Sequence, residues 1–143
     1  MSEASETARR LIEAIGTDMS AVADLYAEHV VIEMPFAAPL FPLTQEVTRE
    51  QLRAGFTRAD GPRYSGVSDV RIHETAEPNV AVLEYRLHGH DATGDRAFAL
   101  DYIMVITTEG GLVVHSRDYS SPVQAAQSMG ITEQLAIALG ATS

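Results

Sequence analysis

The sequence predicts an α+β protein in which amino-terminal helices close a strongly curved antiparallel sheet, with further helices at the carboxyl terminus. Three observations lead to this fold class. Apolar residues follow a helical period before Gly61; after Pro62 apolar and polar residues alternate up to residue 120; and the connections within the alternating part are too short for crossover helices. A bent sheet closed by helices forms a cone-shaped barrel with a pocket inside, and this is the architecture we predict.

Apolar side chains at helical spacing predict two helices at the start of the chain. The first helix ends near Gly16 and presents one apolar stripe. Asp18 is a suitable N-cap for a second, shorter helix, at whose end we expect Tyr26 and His29. The stripe of the first helix consists of residues spaced i, i+3, i+4 and i+7, namely Ala8, Leu11, Ile12 and Ile15.

One strand and a third helix follow. Residues 30–36 have the pattern of a strand, and the prolines at and after its end stop the regular structure. Thr48 and Gln51 have the spacing of a capping box, which predicts a helix from Thr48 to about Arg58.

Four strands and two helices make up the remainder of the predicted fold. We place the strands at about 66–76, 80–91, 96–108 and 112–120. Each connection contains residues typical of turns, such as Gly110-Gly111 in the last one. Ser121-Pro122 starts a helix that ends near Gly130, and a final helix covers about 132–139.

Composition narrows the class of protein. The 143 residues are 45% hydrophobic and 21% charged, which is typical of one globular domain, residues 1–143. The net charge of −10 argues against nucleic acid or an anionic membrane as a partner. Cysteine and lysine are absent, which excludes thiolate zinc sites, thiol nucleophiles and lysine Schiff bases. The amino terminus lacks the pattern of a secretory signal, so we expect a cytoplasmic protein.

Two aspartates interrupt apolar rows on the predicted strands. Asp101 alternates with Ile103 and Val105, and Asp118 follows Ser116 at the end of its row. A carboxyl group in an apolar interior has a raised pKa and can act as a general acid or base. We therefore expect both aspartates to be catalytic and to face one dry pocket. The alternative is that arginines or backbone donors pair with them and their role is structural.

The other row of the 96–108 strand is apolar throughout. We expect it to form the open side of the sheet, covered by helices or by a second subunit, and a homodimer is the simplest cover. This row consists of Phe98, Leu100, Tyr102, Met104 and Ile106.

Other polar and apolar residues are predicted around the pocket. Arg86 and His88 share one face of their strand, and we expect them at the pocket mouth as catalytic partners of Asp118. His88 and His90 could chelate a metal ion, but no third ligand is evident and no metal site is predicted. Glu33 is either a pocket acid or an exposed edge residue. The predicted substrate-binding residues are Tyr26, Glu33, Met34, Phe36, Phe56 and Ser116.

The run from Leu25 to Phe36 and the triplet Arg117-Asp118-Tyr119 resemble the SnoaL-like branch of the nuclear transport factor 2-like superfamily, which has a cystatin-like architecture. Residues 70–79 and 117–124 are similar to the PhzA/PhzB group of this branch, and 117–119 is also similar to limonene-epoxide hydrolase-like proteins. The resemblance covers nearly the whole chain and implies the cone-shaped fold and a homodimer.

The resemblance also implies reactions. In SnoaL-like polyketide cyclases an aspartate on the last strands removes a proton next to a carbonyl, and in the PhzA/PhzB group a glutamate at the Asp118 position is the proposed acid/base. Limonene-epoxide hydrolase-like enzymes pair their aspartate with an Arg-x-Asp motif, for which this chain has Arg86-Leu87-His88. The base of the steroid isomerases falls at Met34, so only their oxyanion-side acid has a counterpart, at Asp101.

These observations predict a cofactor-free isomerase or cyclase of secondary metabolism that binds a hydrophobic, carbonyl-bearing, polyketide-like substrate. Asp118 would move the proton, while protonated Asp101 or Arg86 would stabilise the enolate oxygen. Two alternatives remain open: an epoxide hydrolase with Asp118 as base, and a non-catalytic ligand-binding or dimerisation module.

Overall fold

The computed structural model describes residues 1–140 of the chain. Its helices are α1 (Glu3–Ala14), α2 (Met19–Ala23), α3 (Arg49–Phe56), α4 (Pro122–Met129) and α5 (Thr132–Ala138). Its strands are β1 (Tyr26–Glu33), β2 (Thr44–Thr48), β3 (Arg63–Glu74), β4 (Val80–His90), β5 (Ala97–Glu109) and β6 (Leu112–Ser120). Within residues 1–140, no helix has the length and apolar character needed to cross a bilayer.

The strands form one open, mixed, six-stranded sheet in the order β2-β1-β6-β5-β4-β3. β3 to β6 form the predicted antiparallel meander, whereas β1 pairs with β6 in parallel orientation. The α+β fold class is therefore confirmed. The strands alone do not close the sheet, because β2 and β3 lie at opposite edges and do not pair within the described residues, so the cone shape closed by helices stays a prediction.

Local capping signals confirm several predicted helix ends. The Asp18 side chain caps α2 by accepting a backbone hydrogen bond. Thr48 and Gln51 make both hydrogen bonds of a capping box at the start of α3. Ser121 caps α4, and Gly130 ends it with a φ of 70°, which a residue without Cβ adopts easily.

The first strand begins earlier than the sequence suggests. We expected Tyr26 and His29 at the end of the second helix, but both lie in β1, which ends at Glu33. Tyr26 is only 5% exposed and pairs with Val113 of β6. A helix as short as α2 is only marginally stable by itself, so burial of Tyr26 and its pairing with β6 favour a strand over an extension of the helix. β2 was not predicted, because five residues are too few to show a period.

The register of the sheet separates two faces. Asp118 lies opposite Met104 in the β5–β6 pair, so both side chains lie on one face, here called the inner face. α1 packs on the inner face over β3, β4 and β5, and its apolar stripe forms the core with them. Arg86 lies opposite Asp101 in the β4–β5 pair, on the other or outer face.

The two rows of β5 lie on the faces opposite to those expected. The row from Phe98 to Ile106 faces the core and the helices instead of forming the open side of the sheet, and Ile106 is fully buried. Asp101 and Ile103 are on the exposed row, with Ile103 43% exposed. Alternation along a strand defines two faces, but it does not say which one the helices cover.

Candidate active site

A cavity of about 620 Å³ opens on the inner face. Its walls come from strands β3, β5 and β6, from helices α3 and α4, and from the loops that follow β1, α3 and β4. This volume is in the range of sites for small organic ligands. The larger apolar and aromatic wall residues are Met34, Phe41, Tyr64, Phe98, Leu100, Tyr102 and Met129.

Asp118 is an acidic group on this largely apolar wall. Its side chain is half-buried. Ser116, two residues earlier on the same face of β6, is fully buried, and its hydroxyl donates a hydrogen bond to Asp118 Oδ1. Burial raises the pKa of Asp118 to about 6, although the Ser116 hydrogen bond and the charge of His115 lower it in part. Asp118 thus lies on the cavity wall, and its catalytic role stays a prediction.

A carboxyl group with this environment can both accept and return a proton near neutral pH. A catalytic pKa close to the working pH keeps the base form populated while leaving the protonated form accessible. Because burial disfavours the ionised form, proton transfer from a ligand to Asp118 relieves an unfavourable charge. The arrangement is therefore suited to moving a proton between two positions of a bound molecule.

Aromatic side chains form the wall next to Asp118. Tyr102 stacks on Tyr85, with ring centroids 5.5 Å apart and planes at 15°. Tyr64 meets Phe98 edge to face at 6.1 Å and 82°. Phe98 lies against the β4 backbone at Gly89, which has no side chain. A Cβ at this position would lie only 2.8 Å from the Phe98 Cζ atom. Tyr64 and Tyr102 were not predicted as site residues, because Tyr64 precedes the predicted start of its strand at 66 and Tyr102 belongs to the row expected on the open side of the sheet.

Asp101 does not share the cavity of Asp118, contrary to our prediction. Its side chain is 56% exposed on the outer face and pairs with Arg86 at 3.2 Å. The Gln124 amide donates to Asp101 Oδ2 at 2.7 Å and accepts from the Asp101 backbone N–H at 2.9 Å. Asp101 therefore has the partners that the structural alternative required, and it ties α4 to β5.

Arg86 and His88 also lie on the outer face, away from the mouth of the inner cavity. Arg86 is exposed beside Asp101, and a His88 ring nitrogen lies 2.7 Å from the Ser68 hydroxyl. His90 contacts the backbone of the following loop. In residues 1–140 no group of three or more histidine, cysteine, aspartate or glutamate side chains could hold a metal ion.

Two predicted substrate-binding residues lie outside the cavity. Glu33 points to the outer face, where its carboxylate lies 2.7 Å from the His115 imidazole. Phe36 is 64% exposed and packs edge to face on Tyr119 at 5.2 Å. The bend after β1 directs the following loop so that Met34 and Phe36 lie on different sides of the sheet.

The remaining predicted residues lie in or beside the cavity. Met34 lines it together with Asp118. Ser116 and Tyr26 are buried beside Asp118, and the negative charge of Asp118 adds to burial in raising the pKa of the Tyr26 phenol. Phe56 packs against the core, while its neighbour Gly55 is the α3 residue that lines the cavity. Of the predicted site residues, Asp118 and Met34 therefore line the cavity.

The open sheet with helices on one face and a cavity beneath them defines the class of nuclear transport factor 2-like α+β proteins. The SnoaL-like domain matches residues 8–116, which is more than half of the chain. The chain belongs to the SnoaL-like domain family, as the resemblance indicated.

Relatives and solved structures agree with this assignment. An uncharacterized PhzA/B-like protein of Pseudomonas aeruginosa is 29% identical over 127 residues, which cover 89% of this chain and 88% of the relative. The crystal structure of a proposed isomerase from Bacillus subtilis superposes with a TM-score of 0.74 at 24% identity, covering 90% of this chain and 94% of that one. An LEH-like epoxide hydrolase from Mycobacterium tuberculosis superposes with a TM-score of 0.62 at 17% identity, covering 97% of both chains. These structural similarities show the fold.

Proposed function

We propose that the protein is a small-molecule isomerase or cyclase that acts by acid/base catalysis on a carbonyl-bearing substrate. One observation carries this proposal: the Asp118 carboxyl group lies on the wall of an apolar cavity, and burial raises its pKa to about 6. The cavity of about 620 Å³ accepts a hydrophobic molecule of polyketide-like size. Membership of the SnoaL-like family is consistent with a role in secondary metabolism.

Each step in the proposed reaction conserves protons and electron pairs. The Asp118 carboxylate removes a proton from the carbon next to the carbonyl group. The C–H electron pair forms a carbon–carbon double bond, and the carbonyl π pair moves to oxygen. In an isomerisation, Asp118 then returns the proton to another carbon. In a cyclisation, the enolate carbon instead bonds to a second carbonyl carbon of the substrate, the π pair of that carbonyl moves to its oxygen, and Asp118 gives its proton to that oxygen. No cofactor is required for these steps.

The alternative functions are less well supported. Epoxide hydrolysis by an Asp118, Arg86 and His88 set requires the three side chains in one site, but Arg86 and His88 lie on the outer face. A purely ligand-binding module would use the same cavity without proton transfer. Measurement of proton exchange separates this case from the proposed enzyme.

The test is exchange of the protons next to the carbonyl of α-tetralone in heavy water, followed by NMR. We expect the protein to accelerate exchange and Asp118→Asn to reduce the rate at least about 100-fold, as general acid/base groups contribute this much. Asp101→Asn is the matched control, because this aspartate is exposed on the other face, and it should retain the wild-type rate. Exchange that is unaffected by Asp118→Asn would overturn the proposal.

A further inference from the structure

Proton abstraction next to a carbonyl places negative charge on the carbonyl oxygen, which needs hydrogen-bond donors in a dry site. From the sequence, we expected Asp101 or Arg86 in this role. Both lie on the outer face, so neither reaches a ligand beside Asp118. The donors must come from the walls of the inner cavity.

Two wall tyrosines have hydroxyl groups whose surroundings differ from those of Tyr85. Within residues 1–140, no hydrogen bond joins the hydroxyl of Tyr64 or of Tyr102 to another residue, whereas the Tyr85 hydroxyl donates to Met104 Sδ at 3.2 Å. The described residues also contain no fully enclosed side-chain oxygen or nitrogen that lacks a partner. The two hydroxyls are therefore accessible, and because both rings lie on the inner face, the hydroxyls point into the cavity.

The register places Tyr102 at a suitable distance from Asp118. Met104 lies directly opposite Asp118, and Tyr102 is two residues further along the same face of β5. Diagonal neighbours of this kind have Cα atoms about 7–8 Å apart, within reach of an aromatic side chain. A ligand group between them can give a proton to one side chain and accept a hydrogen bond from the other.

The packing of both rings restricts where their hydroxyls point. Tyr102 is stacked on Tyr85, and Tyr64 is packed edge to face on Phe98. Donors that are already oriented need no reorganisation when charge develops on the ligand. Burial also raises the pKa of both phenols above the ordinary tyrosine value, so they are protonated donors at neutral pH.

We propose that Tyr102 and Tyr64 donate hydrogen bonds to the carbonyl oxygen of the substrate, and that the site thereby selects uncharged, enolisable ketones over carboxylic acids. This inference rests on the proposed function, because it assigns the partner groups of Asp118 in the same cavity.

The charged side chains of the cavity wall favour uncharged ligands over anionic ones. The cationic wall residue is Arg58, and its guanidinium pairs with the Asp60 carboxylate at 3.1 Å. Asp91 and Asp118 add negative charge to the wall. A ligand carboxylate would therefore meet repulsion, and no unpaired cationic side chain among residues 1–140 lines the cavity to offset it, while a ketone oxygen meets two neutral donors.

Naphthols test the donors without a known substrate, because an ionised naphthol resembles an enolate in shape and charge. We expect β-naphthol to bind to the wild type as the neutral molecule and to be partly ionised in the site by transfer of its proton to Asp118, so that the total charge of the site does not change; the ionised fraction is read from the absorbance. Tyr102→Phe and Tyr64→Phe should each weaken binding about tenfold, the loss of one hydrogen bond to a charged group, and lower the ionised fraction. β-Naphthoate should bind at least about tenfold more weakly than β-naphthol.

Tyr119→Phe is the matched control, since this phenol lies on the outer face and should leave binding and ionisation unchanged. Unchanged affinity and ionisation in both cavity variants, or equal affinity for the naphthoate, would overturn the inference even if α-tetralone exchange depends on Asp118. Conversely, tyrosine-dependent naphthol binding without exchange would support the donors and remove the proposed catalysis.

Discussion

Among single residues, Asp118 makes the stability of the protein depend on pH, because burial disfavours its charged form relative to its neutral form. Its folded-state pKa is raised to about 6, whereas an unfolded chain keeps the ordinary value. Between about pH 4 and pH 6 the folded protein therefore holds a proton that the unfolded chain has released. The free energy of unfolding consequently falls as pH rises through this window.

Replacement of Asp118 by asparagine removes this pH dependence. We expect Asp118→Asn to be more stable than the wild type above pH 6, by at most about 3 kcal/mol, since one pKa unit corresponds to about 1.4 kcal/mol. The difference should shrink toward zero below about pH 4, where both side chains are neutral. Urea unfolding across this pH range measures it. A variant that is less stable by the same amount at every pH would show that Asp118 is not in an apolar environment.

The pH dependence of catalysis follows from the same group. The carboxylate form is the base, so α-tetralone exchange should rise with pH and level off above a midpoint near the pKa of about 6. NMR exchange rates measured in a series of buffers give the midpoint. A midpoint at the ordinary aspartate value would assign the proton transfer to an exposed carboxylate instead.

At the scale of elements, Gly89 of β4 makes room for the aromatic wall. A Cβ at this position would lie 2.5 Å from the Arg63 carbonyl oxygen and 2.8 Å from Phe98 Cζ. The close approach of β3 and the placement of the Phe98 ring both depend on the missing side chain. The shape of the cavity is thus set by a backbone position as well as by its wall side chains.

Gly89→Ala should therefore destabilise the protein and disturb the site. Overpacking of this kind costs roughly 1–3 kcal/mol, and movement of Phe98 should weaken β-naphthol binding. Gly55→Ala is the control, because nothing lies within 4 Å of its Cβ and alanine favours the α3 helix. Thermal unfolding of both variants provides the comparison; equal stability of Gly89→Ala and the wild type would contradict the close packing.

At the scale of the whole molecule, the outer face of the sheet carries a second hollow of about 760 Å³ with exposed apolar residues. Among its charged side chains, Arg86 pairs with Asp101 at 3.2 Å, and the Glu84 carboxylate lies 2.6 Å from the His73 imidazole. The Arg86–Asp101 pair reduces the local charge, so the exposed apolar side chains of this face favour the approach of a second copy despite the net charge of −10. The expected homodimer remains a prediction, now placed on the outer face.

Ile103 is the side chain with which to test the dimer, because it is 43% exposed in the middle of the outer face. We expect the wild type to sediment as a dimer and Ile103→Arg as a monomer, since an unpaired charge in an apolar interface is costly. Ile137→Arg, on the exposed side of α5, should leave the dimer intact. A monomeric wild type, or a dimeric Ile103→Arg variant, would place the interface elsewhere or remove it.

Local interactions explain why much of the fold was predictable. The capping bonds of Thr48 and Ser121 and the glycine turn at 110–111 depend on neighbours within a few residues, so their sequence signals are sufficient. Alternation likewise predicted the meander, since the side-chain period of a strand is two. Asp118 was identified because it interrupts such a row.

Other features depended on contacts between distant parts of the chain. Parallel pairing of β1 with β6, the short strand β2 and the position of Tyr26 arise from packing that no local pattern records.

The α+β class, most element ends and the family were predictable, because they follow from short-range periodicity, capping and motif spacing. The face of the sheet that the helices cover depends instead on contacts between distant residues, so it was known only once the chain was seen folded. That choice placed Asp101 on the outside, with Arg86, and Asp118 in the cavity, with Tyr102. Both rows of β5 are largely apolar, so either could have been the buried one. Because the row from Phe98 to Ile106 is buried against α1, Asp101 forms a solvated ion pair and Asp118 is a carboxyl group with a raised pKa.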